Sequence, residues 1–442
     1  MQNEVSFSTR LGTIIGKKDA GLIRILGVPY AKAARYEIPN PIESFSKPFE
    51  AFSLSAAPPQ VYSPVLEKVL GVDILDSLRT SEDCLQLSIT MPDIAPVTSR
   101  LPVMIWIYGG SYSSGAGDAS VYNPELLVQE QQVIFVSINY RLGVLGFLGG
   151  FDDRPANLGI LDILEAIRWV KNNIVAFGGD ADNITLFGQS AGGDAIAHLM
   201  LVDGMENLVR NVIIQSAPLG IRKNRQKMTE KMISMIKDLT SEAPLNDILK
   251  RQENINLTMP RKFALKGGMP FGVQYGYFPF PKEENIVETW RNNAKHFNIL
   301  MGYTDEETSL FAPFIKPLTS LDKIPFLGKS LIKYFVKKTT DIVYRKPGNE
   351  FAKEMAENGA NIYLYHVSWG AKNEFGATHT IDIPLLFGNE NTFKSAKLLE
   401  GISWEKQYED GKKLRAIWGQ FAKSGSLKDE NIKGLISIKK VE

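Results

Sequence analysis

Residues Gly188-Gln189-Ser190-Ala191-Gly192 set a serine between glycines in the pattern G-x-S-x-G. The pattern fixes only three positions and is weak alone. It becomes a nucleophile elbow where a buried strand enters and a helix leaves, because that turn lifts the hydroxyl above the sheet edge. Ile184 to Phe187 (ITLF) is a β-rich apolar run, and Ala191 to Leu201 (AGGDAIAHLML) continues as a helix. The helix start would turn unpaired N–H groups and a positive dipole end toward anything bound at Ser190.

A serine hydroxyl reacts only with a base in hydrogen-bond reach, an acid to orient that base, and donors for the oxyanion. Four histidines are available. His198 is eight residues past Ser190 on the same helix, about 12 Å along the axis at ~1.5 Å per residue, too far to serve. His296 precedes the strand running to Tyr303, at the opposite edge, and His366 lies within an apolar strand, as a core histidine would. His379 follows a strand and a polar, glycine-containing loop (Gly376-Ala-Thr-His379), so elimination makes it the base. The strand ending at Tyr303 runs into Asp305-Glu306-Glu307, a source for the acid or a solvated acidic turn; the order serine, acid, histidine is that of α/β-hydrolases. Oxyanion donors would come from Ile107 to Gly117 (IYGGSYSSGAG), where glycines let backbone N–H groups approach a substrate oxygen. A phosphate-cradling loop competes, but no Lys-Ser/Thr follows those glycines.

These residues need a scaffold. PVMIWIY, VIFVSINY, ITLFG, VIIQS, FNILMGY and NIYLYHVSW are nearly continuous apolar runs, as in strands covered on both faces. Helical patterns lie between them, the clearest from Ile160 to Ile174, ended by Gly178-Gly179; Leu414 to Phe421 marks a last helix. Three short β-rich runs near the start predict an antiparallel meander at a sheet edge. The fold class is α/β, a mostly parallel sheet wrapped by helices on both faces. No Pro/Gly/Ser-rich linker divides the 442 residues, so one domain over 1–442 is expected, with helical insertions over 221–296 and 312–360. The aromatic, glycine-rich stretch Lys266 to Pro281 reads as a flap or a packed pocket wall.

Fifty basic against forty-nine acidic side chains give a net charge of +1, without a basic run to track nucleic acid. The lysines of 329–338 alternate with apolar residues as on an amphipathic helix against a core. Cys84 is the single cysteine, which fits a reducing compartment. The first residues lack a secretory pattern and no apolar run reaches the ~20 residues of a membrane span, so a cytoplasmic protein is expected.

GVPYA (27–31), SEDCLQLSI (81–89), WIYGGSYSSGAG (106–117), NYRLGVLGFL (139–148), NLGILD (157–162), AFGGDADNITLFGQSAGG (176–193), GYTDEETSLF (302–311) and THTIDIPLLFG (378–388) stand in order, and together resemble the type B carboxylesterases, an α/β-hydrolase family that includes bacterial p-nitrobenzyl-type esterases and cholinesterases. The resemblance implies Ser190 as nucleophile, Glu307 as acid and His379 as base. It implies an oxyanion hole from the N–H groups of Gly110, Ser111 and Ala191. It also implies structural ion pairs Arg35 with Glu82 and Arg141 with Asp162. Thr308, Thr380 and Ser111 depart from the small residues usual there, and Gln189 replaces a frequent Glu. No tryptophan occurs between Val61 and Ser81, where cholinesterases hold a cation. The expectation is a serine esterase of small, uncharged carboxylic esters that needs no metal or organic cofactor and has a small-molecule ester as its partner. Its rivals are a non-catalytic adhesion or scaffold protein on the same fold and an amide or carbamate hydrolase.

Overall fold

A computed structural model describes every residue except 1–2, 63, 94–97, 316–317 and 319–326. The apolar runs become strands of one mixed sheet: β1 (Glu4–Thr9), β2 (Gly12–Asp19), β3 (Leu22–Pro29), β4 (Phe49–Glu50), β5 (Gln86–Pro92), β6 (Leu101–Ile107), β7 (Ile134–Ile138), β8 (Gly179–Gln189), β9 (Asn211–Gln215), β10 (Asn298–Thr304), β11 (Asn361–Val367), β12 (Glu430–Ile432) and β13 (Ile436–Lys440). Across the sheet the order is β1-β2-β3-β5-β7-β6-β8-β9-β10-β11-β13-β12, with β4 beside β2. The middle, from β7 to β11, is parallel. The N-terminal meander is antiparallel as its alternating texture predicts, and β5 joins it to β7.

Val103 to Ile107 and every residue of β7 and β9 are buried, which is why these strands read as unbroken apolar runs. Their cover includes α1 (Leu158–Asn173), α2 (Ala191–Leu199) and α3 (Trp404–Ser424). Helix α1 passes into a short turn that Gly178 closes at φ 79°, donating back to Ile174 O and Val175 O. Two features escape the periodicity. β5 begins within the quoted SED segment, whose mixed residues mask a strand, and the hairpin β12–β13 adds an antiparallel second flank beyond β11.

Within 221–296 run helices Gln226–Ser234, Leu245–Gly267 and Ile286–Asn293, and within 312–360 run Gly328–Thr340, a wide turn at Asp341–Arg345, and Lys346–Glu357. Between the first group's members, residues 269–274 are buried while Tyr277 and Phe278 are exposed. Gln274 N donates to Asn157 Oδ1 at 2.8 Å and its Nε2 to Gly149 O at 2.9 Å, so the middle of Lys266–Pro281 is a packed wall. Among the described residues no helix is long and apolar enough to cross a membrane.

The core holds charges with different fates. Arg141 Nη2 reaches Asp162 Oδ1 at 2.6 Å, its Nε and backbone N reach Oδ2 at 2.8 and 3.0 Å, and Nη1 donates to Glu37 O at 2.7 Å. Arg35 binds Glu82 through Nε at 2.8 Å, and its Nη1 donates to Ser241 O at 2.8 Å, tying the N-terminal region to the loop before Leu245. Asp382 has no such cation. Burial pushes its pKa up to about 6, Glu307's charge adds to this, and the bond from Gln215 Nε2 at 2.5 Å only partly offsets it.

Arg141→Met strands a fully buried carboxylate at Asp162 and should cost about 3–5 kcal/mol, whereas removing both charges together should cost clearly less; denaturant titration of the three proteins measures this. For Asp382 the folded state holds its proton more tightly than the unfolded chain. Stability is therefore fully present below about pH 4 and is lost as pH rises to about 6. Asp382→Asn should remove that fall, so the two denaturation curves converge near pH 4 and separate above pH 6.

Candidate active site

The parallel register brings four strand ends to one edge. Gly188 pairs with Ile107, Gln189 with Gln215, and Gln215 with Gly302, so the segments after β6, β8, β9 and β10 leave side by side. At that edge Ser190 adopts φ 58°, ψ −121°, a region costly for any residue with a Cβ, and its N–H donates to Gln215 O at 2.8 Å. The tight geometry depends on its glycines. A Cβ at Gly192 would lie 1.9 Å from Ile107 O, and one at Gly188 would lie 2.5 Å from that same oxygen. Both clashes are with backbone, so larger residues would push α2 off the sheet.

The loop after β6 runs beside the serine: a Cβ at Gly109 would stand 2.6 Å from Gln189 O and 3.1 Å from Ser190 Cβ. Gly110, Ser111 and Tyr112 follow at φ 105°, 57° and 58°. Three consecutive left-handed residues, two of them non-glycine, are strain held by the surrounding structure. Ser113 N and Ser114 N both donate to Gly110 O at 3.0 Å, which closes the turn. The N–H groups of Gly110 and Ser111 donate to no other group among the described residues. Ala191 N opens α2 and has no intrahelical acceptor.

Beyond β10 the backbone seats the histidine. Asp305 N donates to Val367 O at 3.0 Å, Glu306 N to Ala377 O at 2.9 Å, and His379 N to Glu307 O at 3.2 Å, so loop 376–380 lies along the acidic turn. His379 Nδ1 then meets Glu307 Oε2 at 2.5 Å, both side chains being buried. Glu307 Oε1 accepts from Thr304 N at 2.8 Å, which fixes the carboxylate. The other acids of the turn face elsewhere. Asp305 sits 2.7 Å from His366 Nε2, whose hydrogen bond and charge hold that carboxyl below its usual range, and Glu306 lies against Gly376. His366, read as a core histidine, is thus half-exposed and paired. His296 is exposed at the far end of β10, and His198 is fully buried.

Ser190 Oγ and His379 are not joined by a hydrogen bond. Instead Gln189 Nε2 stands 3.2 Å from His379 Nε2 and 3.5 Å from Nδ1. With Nδ1–H donated to the Glu307 carboxylate, Nε2 carries the lone pair, and the Gln189 amide donates to it. Tyr344 and Phe311 flank the imidazole, with ring centroids at 5.3 and 6.0 Å. Nothing in the spacing of the sequence pointed to Gln189, Tyr344 or Phe311 as neighbours of His379.

The departures have structural uses. Thr308 Oγ1 lies 2.6 Å from Thr339 Oγ1 and donates to Val336 O at 3.0 Å, tying the acidic turn to helix Gly328–Thr340. Thr380 takes φ 71° directly after the histidine. Cys84 is buried, and burial pushes its thiol pKa up, so it is no reactive nucleophile. Among the described residues no cluster of three or more His, Cys, Asp or Glu is arranged to hold a metal ion.

Known proteins share this arrangement of segments. The model of the carboxylesterase family matches residues 3–325. A probable N-octanoylanthranilate hydrolase of Rhodococcus erythropolis is 34% identical over 91% of this chain and 89% of its own length. The para-nitrobenzyl esterase of Bacillus subtilis is 28% identical over 96% and 91%. Among solved structures a thermophilic p-nitrobenzyl esterase superposes with a TM-score of 0.79 at 25% identity, covering 98% of this chain and 97% of that one. A site at the carboxyl edge of a parallel sheet, eight ordered motifs and matches along nearly the whole chain lead to one assignment: the chain belongs to the carboxylesterase family.

Proposed function

We propose that Ser190, His379 and Glu307 form the catalytic triad of a serine esterase, and that Gly110, Ser111 and Ala191 supply its oxyanion hole. Family membership gives the reaction class, hydrolysis of carboxylic esters. The observation that carries the residue assignment is the buried 2.5 Å contact from His379 Nδ1 to Glu307, made beside a serine held at positive φ.

In this reading His379 Nε2 takes the Ser190 proton as Oγ attacks the ester carbonyl. The tetrahedral oxyanion forms where the free N–H groups of the glycine loop and the start of α2 converge, in a buried place where such donors act strongly. Glu307 keeps Nδ1 protonated and stabilises the imidazolium. His379 then protonates the departing alcohol, and water attacks the acyl-enzyme with His379 again as base. The strain at Ser190, Ser111 and Tyr112 is a form of preorganisation, since these groups need not rearrange as charge develops. The continuous core beneath the sheet favours one catalytic unit over the whole chain.

A second reading has one specific support. The relative at 34% identity carries a name that denotes cleavage of an N-acyl bond. The same groups would serve an amide provided His379 can deliver its proton to the leaving nitrogen. Matched ester and anilide substrates separate the two readings through the ratio of their kcat/KM values.

Ser190→Ala should lower kcat for p-nitrophenyl butyrate by at least about 1,000-fold. An organophosphate probe should add one mass increment to the wild type and none to the variant; full activity in the variant would remove Ser190 from the mechanism. Gln189→Glu would place a carboxylate beside His379 Nε2. A negative neighbour favours imidazolium, so the acidic limb of the kcat/KM profile should move to higher pH. An unchanged limb would mean that residue 189 does not reach the base during turnover.

A further inference from the structure

The oxyanion donors assigned above come from two separate elements: Gly110 and Ser111 lie on the loop after β6, and Ala191 opens α2. A side-chain hydrogen bond joins those elements. Tyr112 Oη donates to Asp194 Oδ2 at 2.8 Å, and both side chains are fully buried. Asp194 sits one turn into α2, where its N–H donates to Ser190 O at 2.8 Å. Tyr112 directly follows Ser111. The bond thus closes a ring that runs from the carbonyl of Ser190 through Asp194 and Tyr112 to the glycine loop.

The loop needs such a hold. Ser111 and Tyr112 take φ 57° and 58°, where a Cβ crowds the backbone, and a strained turn keeps its shape only if its surroundings over-determine it. The bonds within the turn, from Ser113 N and Ser114 N to Gly110 O, set its curvature but not its distance from α2. Tyr112 supplies outside contacts. Its carbonyl accepts from Gly143 N at 2.7 Å, its ring centroid stands 4.3 Å from that of Phe147, and its hydroxyl reaches across to the helix.

The two partners suit the task chemically. A hydroxyl bonded to a carboxylate makes a stronger link than a neutral pair does, and the low dielectric of the interior strengthens it further. Burial raises the Tyr112 pKa and the Asp194 charge adds to this, so the phenol keeps its proton and remains the donor. An acid in the first turn of a helix is also favoured by the helix dipole. Arg222, equally buried, has its Nε 3.6 Å from Asp194 Oδ1, so this cation partly balances the carboxylate without taking the oxygen that Tyr112 uses.

We propose that Tyr112 and Asp194 are positioning residues for ester hydrolysis: their bond fixes the glycine loop against the start of α2, so that all three N–H groups reach one oxyanion. Neither side chain touches the substrate. This rests on the oxyanion-hole assignment above and adds the pair that holds the two halves of the hole together. Losing the bond weakens stabilisation of the transition state and leaves binding of the ground state nearly unchanged.

Two variants break the bond from opposite ends, so misfolding of one leaves the other to decide. Tyr112→Phe removes the hydroxyl and keeps the ring on Phe147, and Asp194→Ala removes the acceptor. With p-nitrophenyl butyrate each should lower kcat at least about tenfold with KM within about twofold of wild type, a part of the ~100–1,000-fold that one oxyanion donor is worth. Inhibition by a trifluoromethyl ketone, whose serine adduct places an oxyanion in the hole, should weaken by the same factor as kcat/KM. Asp194→Asn keeps an oxygen that can accept from Tyr112 and should recover part of the loss. A bond that served only the fold would lower the unfolding midpoint while kcat and ketone affinity stayed at wild-type values. That result, in folded Tyr112→Phe or folded Asp194→Ala, would overturn the proposal and leave the esterase reading intact. A wild type that neither hydrolyses the ester nor binds the ketone would overturn the esterase reading and this inference together.

Discussion

One backbone contact governs the rest: the carbonyl of Ile107, at the end of β6, lies where side chains at Gly188 and Gly192 would otherwise be. That contact locks strand β8, helix α2 and strand β6 into one tight corner. It forces Ser190 into positive φ, brings the glycine loop against it, and aims the start of α2 at the same spot. Any Cβ at Gly192 must push the helix away, and the donors and the hydroxyl would separate together. The site is thus a consequence of backbone packing before it is one of side-chain chemistry.

A second constraint is the placement of charge in a low-dielectric interior. Asp162 is neutralised by an arginine that fills both its oxygens, Glu307 is held by hydrogen bonds from His379 and a backbone N–H, and Asp382 has no arginine beside it, so burial pushes its pKa up to about 6. Around Asp194 two buried arginines, Arg222 and Arg225, lie near one carboxylate. A fold that buries this many ionisable groups near one edge keeps strong fields there, and strong fields are what a reaction passing through an oxyanion and an imidazolium requires.

Much of this was legible in the sequence, and the reasons are physical. Strands buried on both faces must be apolar throughout, so the parallel centre stood out, and the elbow declared itself through its glycines and flanking elements. Elimination among four histidines left His379, and that needed only the direction of each strand. The acid was harder, because Asp305, Glu306 and Glu307 are equivalent in spacing and only the family resemblance singled out Glu307, whose side chain is the one that meets His379 in the structure. β5 and the C-terminal hairpin were missed because short mixed strands have no distinctive period. Gln189 beside His379 and the buried Arg222 beside Asp194 were illegible for a deeper reason: one sequence does not say which polar residues are buried, or which partner each one finds across the fold.

The account stands on Ser190 and His379 acting as one unit rather than as two separate contributors. The measurement that tests this most directly is the steady-state kcat of Ser190→Ala, His379→Ala and the double variant on one activated ester, with folding verified for each. The account predicts that each single variant loses nearly as much rate as the double. Losses that multiply in the double variant would contradict it, since the two residues would then be contributing independently and the proton transfer between them would not be the event that the structure is arranged to support.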